Sequence, residues 1–429
     1  MDEQKIPIDS TDPVEYESFQ KKLLCLHLPE IIRNTPAFAE YIPLIDGLGE
    51  DNVIEKLRQL PIMSKQNILE NPVKYHRTDI SEKNYPIRTG GTSGEILEFY
   101  RIKSEYMVEK NHIEYCWKNM GIQLGTDKGV VLNARPSKHS TDGLSYVDKN
   151  KMMWLACKNQ SEKQWEMIYE KIVKYEPKYI RGYGSLVSAF FKQLSKQNRD
   201  MPSSIEAVAY SSDPILQSEL DFITQNYCEN IISLYGQTER VTMGITCSSG
   251  NKFHLLPTYG FTEIIRDDGS VIEKPGEIGE IVATSLYPRY CSFVRYRTGD
   301  MGAWSDELCS CGRSTPTIDQ LLQRSHEKAI NKFGEKISMA RRPSFIDMKN
   351  ELPVGTGIQF LQNQPGHLHV LIQTSEKNEE IFAPALDHLR NEFVVSHEFV
   401  NQPILRENGK RTLFIQTERT TTRGDNPHL

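Results

Sequence analysis

Between residues 129 and 235 the chain repeats one pattern: a short apolar run, an amphipathic stretch of helical period, then another short apolar run. GVVLNA (129–134), IEAVAY (205–210) and NIISLY (230–235) read as strands, and 162–174 and 214–226 read as helices. In the first of these helices Trp165, Ile168, Ile172 and Val173 fall on one stripe. Apolar runs of strand length joined through helices specify parallel pairing with right-handed crossovers, which confines the chain to an α/β architecture.

The flanks change character. Up to about residue 85 the sequence predicts short amphipathic helices, with Phe19, Leu23 and Leu26 at helical spacing, and likewise Ile54, Leu57 and Leu60. Residues 261–285 alternate apolar and polar around Asp268-Gly269 and Pro275-Gly276, which are hairpin signals. Beyond about residue 323 a smaller unit is expected, with strands at 357–364, 367–374 and 411–416 and a helix at 379–394. The expected architecture is a large N-terminal domain (1–323) of parallel and mixed sheets plus helices, and a small α+β C-terminal domain (324–429). From about Thr420 the tail is polar and expected to be disordered, and its Arg423-Gly424-Asp425 reads as a chance tripeptide.

With 429 residues the chain is too long for one simple core; 38% hydrophobic and 25% charged residues are ordinary globular values. A net charge of −6 without a basic cluster argues against nucleic acid as a partner. The first residues, MDEQKIPIDS, lack the basic and apolar segments of an export signal, and no stretch approaches the roughly 18 apolar residues of a membrane helix. A cytoplasmic location is therefore expected, with no membrane partner and with reduced thiols. The eight cysteines then read as core residues or metal ligands.

Two groups of residues carry chemistry. Thr89-Gly90-Gly91-Thr92-Ser93-Gly94-Glu95 combines a backbone free to curl with hydroxyl donors, so its N–H and O–H groups can surround phosphate oxygens. The same composition also describes an ordinary flexible turn, and no Gly-Lys-Ser/Thr follows, which disfavours a P-loop. Cys247 and His254, with Cys309 and Cys311, supply two pairs of donors suited to a tetrahedral Cys₃His zinc site, although the spacing is not that of a zinc finger. Four unlinked loop residues is the alternative reading.

The loop is followed, in order, by YGQTE (235–239), RYRTGD (295–300) and NGKRT (408–412). This ordered set resembles the adenylate-forming (acyl-CoA synthetase) superfamily, in the branch of phenylacetate–CoA ligases and capsule-biosynthesis adenylate ligases. LPIMSKQNILENP (60–72), Ile180-Arg181-Gly182-Tyr183 and PGEIGEIVATSL (275–286) are similar to further segments of that branch, so the resemblance spans about residues 50–415. It implies ATP-dependent adenylation of a small carboxylic acid, followed by acyl transfer to CoA; transfer to an amine or a carrier-protein thiol, and a nucleotide-binding homologue with little turnover, stay open. It implies that Thr89, Gly90, Gly91, Thr92, Ser93 and Gly94 grip the β- and γ-phosphates, that Tyr235 and Gly236 meet adenine, and that Ser212, Asp213 and Pro214 line its pocket. Thr238 would touch the α-phosphate, Glu239 would hold Mg²⁺, Asp300 would accept the ribose hydroxyls, and Lys410 would bridge the acid and the α-phosphate. The Lys410 segment also reads as a hairpin turn with a solvated lysine. Arg135 to Ser145 falls where related enzymes build the acyl pocket. Some members of the branch carry a structural zinc with ligands like the cysteines and histidine above.

Two departures stand out. Glu95 and Ile96 replace a lysine that often follows the phosphate loop, and Gln323-Arg324-Ser325-His326-Glu327 replaces a Gly-Arg-x-Asp-Asp hinge. Related enzymes rotate the small domain between half-reactions, which makes this one mobile by resemblance, with Arg324 and His326 near the pivot. A homodimer is compatible with the sequence, which leaves the oligomeric state open.

Overall fold

The computed structural model describes residues 12–89, 96–247, 250–306, 309–324, 327–339 and 341–416. The expected tail, His326 and the loop residues Gly90 to Glu95 lie outside the described residues.

The described residues begin with α1 (Pro13–Asn34), whose N-terminus is capped by Asp12 accepting from Val14 N at 2.9 Å, with Pro13 at the first helical position. Here the structure corrects the expectation of short helices, because α1 runs unbroken for 22 residues. Its buried stripe is Leu23, Leu24, Leu28, Ile31 and Ile32, which packs on Val53, Leu57 and Leu60 and on Leu286 and Val294, in the connection between the strands Gly279–Ser285 and Tyr296–Trp304. Leu26 faces away and is exposed. A hairpin follows, β1 (Asn84–Arg88) with β2 (Glu98–Ile102).

Among the described residues the main sheet has twelve strands. Its first half comprises β3 (Gly129–Asn133), β4 (Ser145–Val147), β5 (Met152–Ala156), β6 (Tyr179–Tyr183), β7 (Ala207–Ser211) and β8 (Ile231–Gly236). Strands β5-β3-β6-β7-β8 are mutually parallel neighbours, as the strand–helix alternation requires. Residues alternate between two covered faces. Val130, Leu132, Ile180 and Val208 meet Trp165, Ile168 and Ile172, together with Leu186, Phe190 and Phe191 of the helix Gly184–Lys196. Val131, Tyr179, Ala207 and Ala209 meet Cys116 and Trp117 of the helix Glu105–Lys118 on the other side. Val173, expected on the buried stripe, is exposed because it sits one residue past the Ile168–Ile172 face.

The second half is antiparallel: β9 (Met243–Cys247), β10 (Gly250–Leu255), β11 (Gly260–Ile265), β12 (Gly279–Ser285), β13 (Tyr296–Trp304) and β14 (Thr317–Arg324). Strands β11 and β12 pair over six residues, in the segment where the alternation predicts a hairpin.

A separate small α/β unit follows. After the ribbon β15 (Lys328–Ile330) and β16 (Lys336–Ser338), it contains β17 (Gly357–Gln362), β18 (His367–Gln373), β19 (Val394–Val400) and β20 (Phe414–Gln416) in the order β19-β18-β17-β20. The helices Pro343–Asn350 and Glu379–Arg390 cover this sheet through Phe345, Met348, Phe382, Leu386 and Leu389. The expected helix at 379–394 thus stops at Arg390, and its end enters β19, which pairs in parallel with β18. No helix among the described residues is long and apolar enough to cross a membrane.

Gly260 shows how tightly the two halves meet, because a Cβ there would lie 1.9 Å from Val241 O. Gly260→Ala is expected to lower stability by roughly 1–3 kcal/mol or more in urea titrations. Gly276→Ala is expected to cost less, about 1 kcal/mol, since Gly276 has φ +76° with open space around it.

Candidate active site

In an open α/β sheet the carboxyl ends of parallel strands leave a crevice for ligands. Here Asn133, Tyr183, Ser211 and Gly236 end neighbouring strands, with Tyr183 opposite Ser211 and Ser211 opposite Leu234. The chain turns sharply at this edge. Ser212 adopts φ +75°, a left-handed conformation that costs a non-glycine residue strain and that tertiary contacts must hold.

Two pairs of groups cross at the edge. Tyr235 Oη donates to Asp300 Oδ2 at 3.1 Å, and Tyr296 Oη donates to Glu239 Oε1 at 2.7 Å. Each tyrosine precedes one acid by four residues and bonds the other acid, so YGQTE and RYRTGD are laced together. Burial, and then the neighbouring Asp300 charge, push the Tyr235 phenol well above its ordinary pKa, so it remains a donor. The Tyr235 ring is itself buried, with its edge against Phe253 at 6.2 Å between centroids. Asp300 is buried, Glu239 is half-buried, and Gly236 and Thr238 are exposed beside them. Arg324 stands opposite Asp300 in the β13–β14 register. Thr89 N bonds Leu97 O at 2.9 Å, and its hydroxyl accepts from Leu97 N at 3.1 Å, closing the hairpin at the start of the Gly/Thr loop.

Lys410 reaches the same edge from the small unit. It sits in a tight turn in which Gly409 has φ +87°, Gly409 N bonds Arg406 O at 2.9 Å and Arg406 N bonds Lys410 O at 3.0 Å. The turn that the sequence allowed is therefore present, but it is docked rather than free in solvent. Ser185 Oγ donates to Gly409 O at 2.9 Å, Lys158 Nζ donates to Arg406 O at 2.7 Å, and the Lys410 ammonium lies 5.1 Å from the Tyr183 ring centroid. Asp213 is used here as well. Its Oδ2 accepts from Ser185 N at 3.2 Å and from Arg411 N at 2.9 Å, so its side chain joins the two units rather than facing an open cleft. Burial raises its pKa.

The four metal-donor candidates converge. Their ligand atoms all lie within 4.8 Å of one another, with Cys247 Sγ 3.4 Å from Cys309 Sγ and Cys311 Sγ 3.4 Å from His254 Nε2. Bonds of about 2.3 Å to sulfur and 2.0–2.1 Å to nitrogen around a tetrahedral centre need donor separations only slightly longer than these, so the residues fit zinc. The remaining ring nitrogen, His254 Nδ1, lies 3.1 Å from Thr315 Oγ1, the outer hydrogen bond that orients a ligating imidazole. Burial, then Arg313 and Lys252, lower the His254 pKa to about 4, which keeps the ring in the neutral form a ligand needs. Cys116, Cys157, Cys228 and Cys291 are buried free thiols, and Cys25 is half-buried.

Sequence reasoning missed Tyr296, Ser185, Glu219 and Arg411. Tyr296 stood inside a recognised motif without a role. Glu219 left one signal only, an acid on the buried side of an amphipathic helix (Gln217–Asn226).

No family model and no curated protein matches the chain. Solved structures do. The 2-hydroxyisobutyryl-CoA ligase in the postadenylation state, in complex with R3-HIB-AMP, has a TM-score of 0.70 at 15% identity, covering 97% of this chain and 94% of that one. The same ligase with 2-HIB-AMP and CoA in its thioesterification state gives 0.60 at 16% identity, with 96% and 92% covered. The amide bond synthetase McbA from Marinactinospora thermotolerans gives 0.50 at 15% identity, with 75% and 66% covered. At these identities the shared property is the fold alone.

Metal analysis of the purified protein should return about one zinc per chain, since such a closed four-donor site is structural. Cys309→Ser should remove the zinc and lower the melting temperature. Metal-free protein of full stability would refute the site.

Proposed function

We propose that this chain is an adenylate-forming ligase that joins AMP to a carboxylic acid, releases pyrophosphate, and then passes the acyl group to the thiol of CoA. The observation that carries this reading is the crossed pairing of Tyr235 with Asp300 and Tyr296 with Glu239. It gathers at one strand edge the two acids that such chemistry needs, one for a ribose and one for a metal. The fold shared with solved ligases of this type supports it.

In this reading the carboxylate oxygen attacks the α-phosphorus and the bond to pyrophosphate breaks, so catalysis is positioning plus charge stabilisation. Asp300, oriented by Tyr235, receives the ribose hydroxyls, and Thr238 meets the α-phosphate. Glu239, oriented by Tyr296, would hold Mg²⁺, which neutralises phosphate charge when bound. Thr89 to Gly94 surrounds the outer phosphates. The Ser212–Pro214 backbone and Gly236 bound the base, with Tyr235 beneath it. Lys410 brings a positive charge between acid and phosphate. In the second step the thiol sulfur attacks the acyl carbon and AMP leaves. The pivot lies near Arg324 and His326, making 1–323 the large domain and 324–429 the small one. Zinc, held by Cys247, His254, Cys309 and Cys311, staples β9 and β10 to the segment beyond β13. Transfer to an amine is the second reading, favoured by the likeness to an amide bond synthetase.

Purified chain incubated with ATP, Mg²⁺ and a panel of aryl and short acyl acids should release pyrophosphate with at least one acid. Silence across the panel would overturn the proposal. Lys410→Ala should cut that rate about 100-fold or more at an unchanged melting temperature. Asp300→Ala should weaken ATP binding, measured by calorimetry. Adding CoA or hydroxylamine to the assay separates thiol from amine acceptors.

A further inference from the structure

Lys410 is followed by Arg411, and Arg411 is held at both terminal nitrogens by the buried carboxylate of Glu219. Glu219 is buried and collects five donors. Its Oε1 accepts from Lys192 Nζ at 2.7 Å, Ser188 Oγ at 2.8 Å and Arg411 Nη1 at 3.0 Å. Its Oε2 accepts from Leu216 N at 3.2 Å and Arg411 Nη2 at 2.6 Å. The cluster bridges the two units. Lys192, Ser188, Leu216 and Glu219 belong to the large one; Arg411 belongs to the small one, as does Gln373, whose Oε1 accepts from Lys192 Nζ at 3.1 Å. Arg411 is further tied to the large unit through Pro214 O at 3.1 Å and through its backbone N–H to Asp213.

A planar guanidinium held at both nitrogens by one carboxylate fixes orientation as well as distance. Consecutive Cα atoms are about 3.8 Å apart, so fixing Arg411 also fixes the Lys410 backbone. The arrangement carries a cost in the other direction. Withdrawing the small unit strips a buried carboxylate of two of its five donors and leaves Asp213 without one of its two, and under-satisfied buried charges are expensive.

We propose that Glu219 is a positioning residue for Lys410: through Arg411 and Lys192 it latches the small unit in the arrangement that performs adenylation, and the latch must open before acyl transfer. The inference rests on the ligase reading above for its kinetic part, while its structural part stands without it.

The test uses the full chain carrying Glu219→Gln, which keeps the shape and removes the charge. Amide hydrogen exchange should rise at least tenfold in a peptide covering residues 405–416 and stay unchanged in peptides covering 129–133 and 367–373. With an acid that supports pyrophosphate release, the variant should lower kcat for that step at least tenfold with KM for ATP little changed. CoA transfer from the corresponding synthetic acyl-adenylate should be unchanged or faster, a split that loss of structure would not produce. Should Glu219→Gln fail to fold, the double variant Glu219→Gln with Arg411→Met replaces the ion pair by neutral groups and is read in the same way. Unchanged exchange at 405–416, or both half-reactions falling together, would overturn the latch. If no acid gives pyrophosphate release, the ligase reading fails while the exchange measurement still decides the latch.

Discussion

Tyr235 and Tyr296 each donate a hydrogen bond to the acid that lies four residues beyond the other. The arrangement depends on sheet construction. Strand β8, carrying Tyr235, is the last parallel strand, and β13, carrying Tyr296 and Asp300, reaches it only after the antiparallel half has folded back. A phenol paired to a buried carboxylate satisfies both partners and keeps the acid's orientation fixed. Without that lacing Glu239 and Asp300 would be two acids on separate segments, with no phenol holding either in place.

The parallel half of the fold was legible because burial on both faces leaves a strong trace, with apolar runs such as 129–134 and 230–235 set off by a helix of 3.6-residue period. Failures came where one-dimensional periodicity is ambiguous. Leu26 and Val173 fit an apolar spacing but face solvent, because a stripe is defined by the partner it meets. The strand Val394–Val400 has no counterpart in the sequence reading, whose helix runs on to 394, since none of its residues is fully buried and its apolar signal is weak. At the site, motif order singled out the segments YGQTE and RYRTGD, and the fold brings these two together. The pairing of Tyr235 with Asp300, spanning 65 residues, and of Arg411 with Glu219, spanning 192, is a property of the folded chain that no local window contains.

The contact between the two units is built differently from either core. Each unit closes its own apolar interior, around Phe190 and Phe191 in one and Phe345 and Phe360 in the other. Between them lie hydrogen bonds and ions: Ser185 to Gly409, Ser218 Oγ to Thr356 O at 2.6 Å, and the Glu219 cluster. Polar interfaces of this kind are typical of units that can part, because each side finds water as a substitute partner. Apolar contacts also cross: Leu216 of the large unit packs into the small unit's core, and Leu405 of the small unit packs against the large unit's core.

Gly409 limits what the docking turn can become. Its φ is +87°, and a Cβ there would lie 2.6 Å from Ala134 Cβ. Two unlinked positions, one on each unit, are thus bound by a single spacing rule: enlarging either side chain lifts the lysine-bearing turn off the strand edge. Mutational tolerance at Ala134 and Gly409 is consequently shared rather than independent, and a bulky residue at one cannot be relieved by shrinking the other, because both are already near the minimum size a side chain can have.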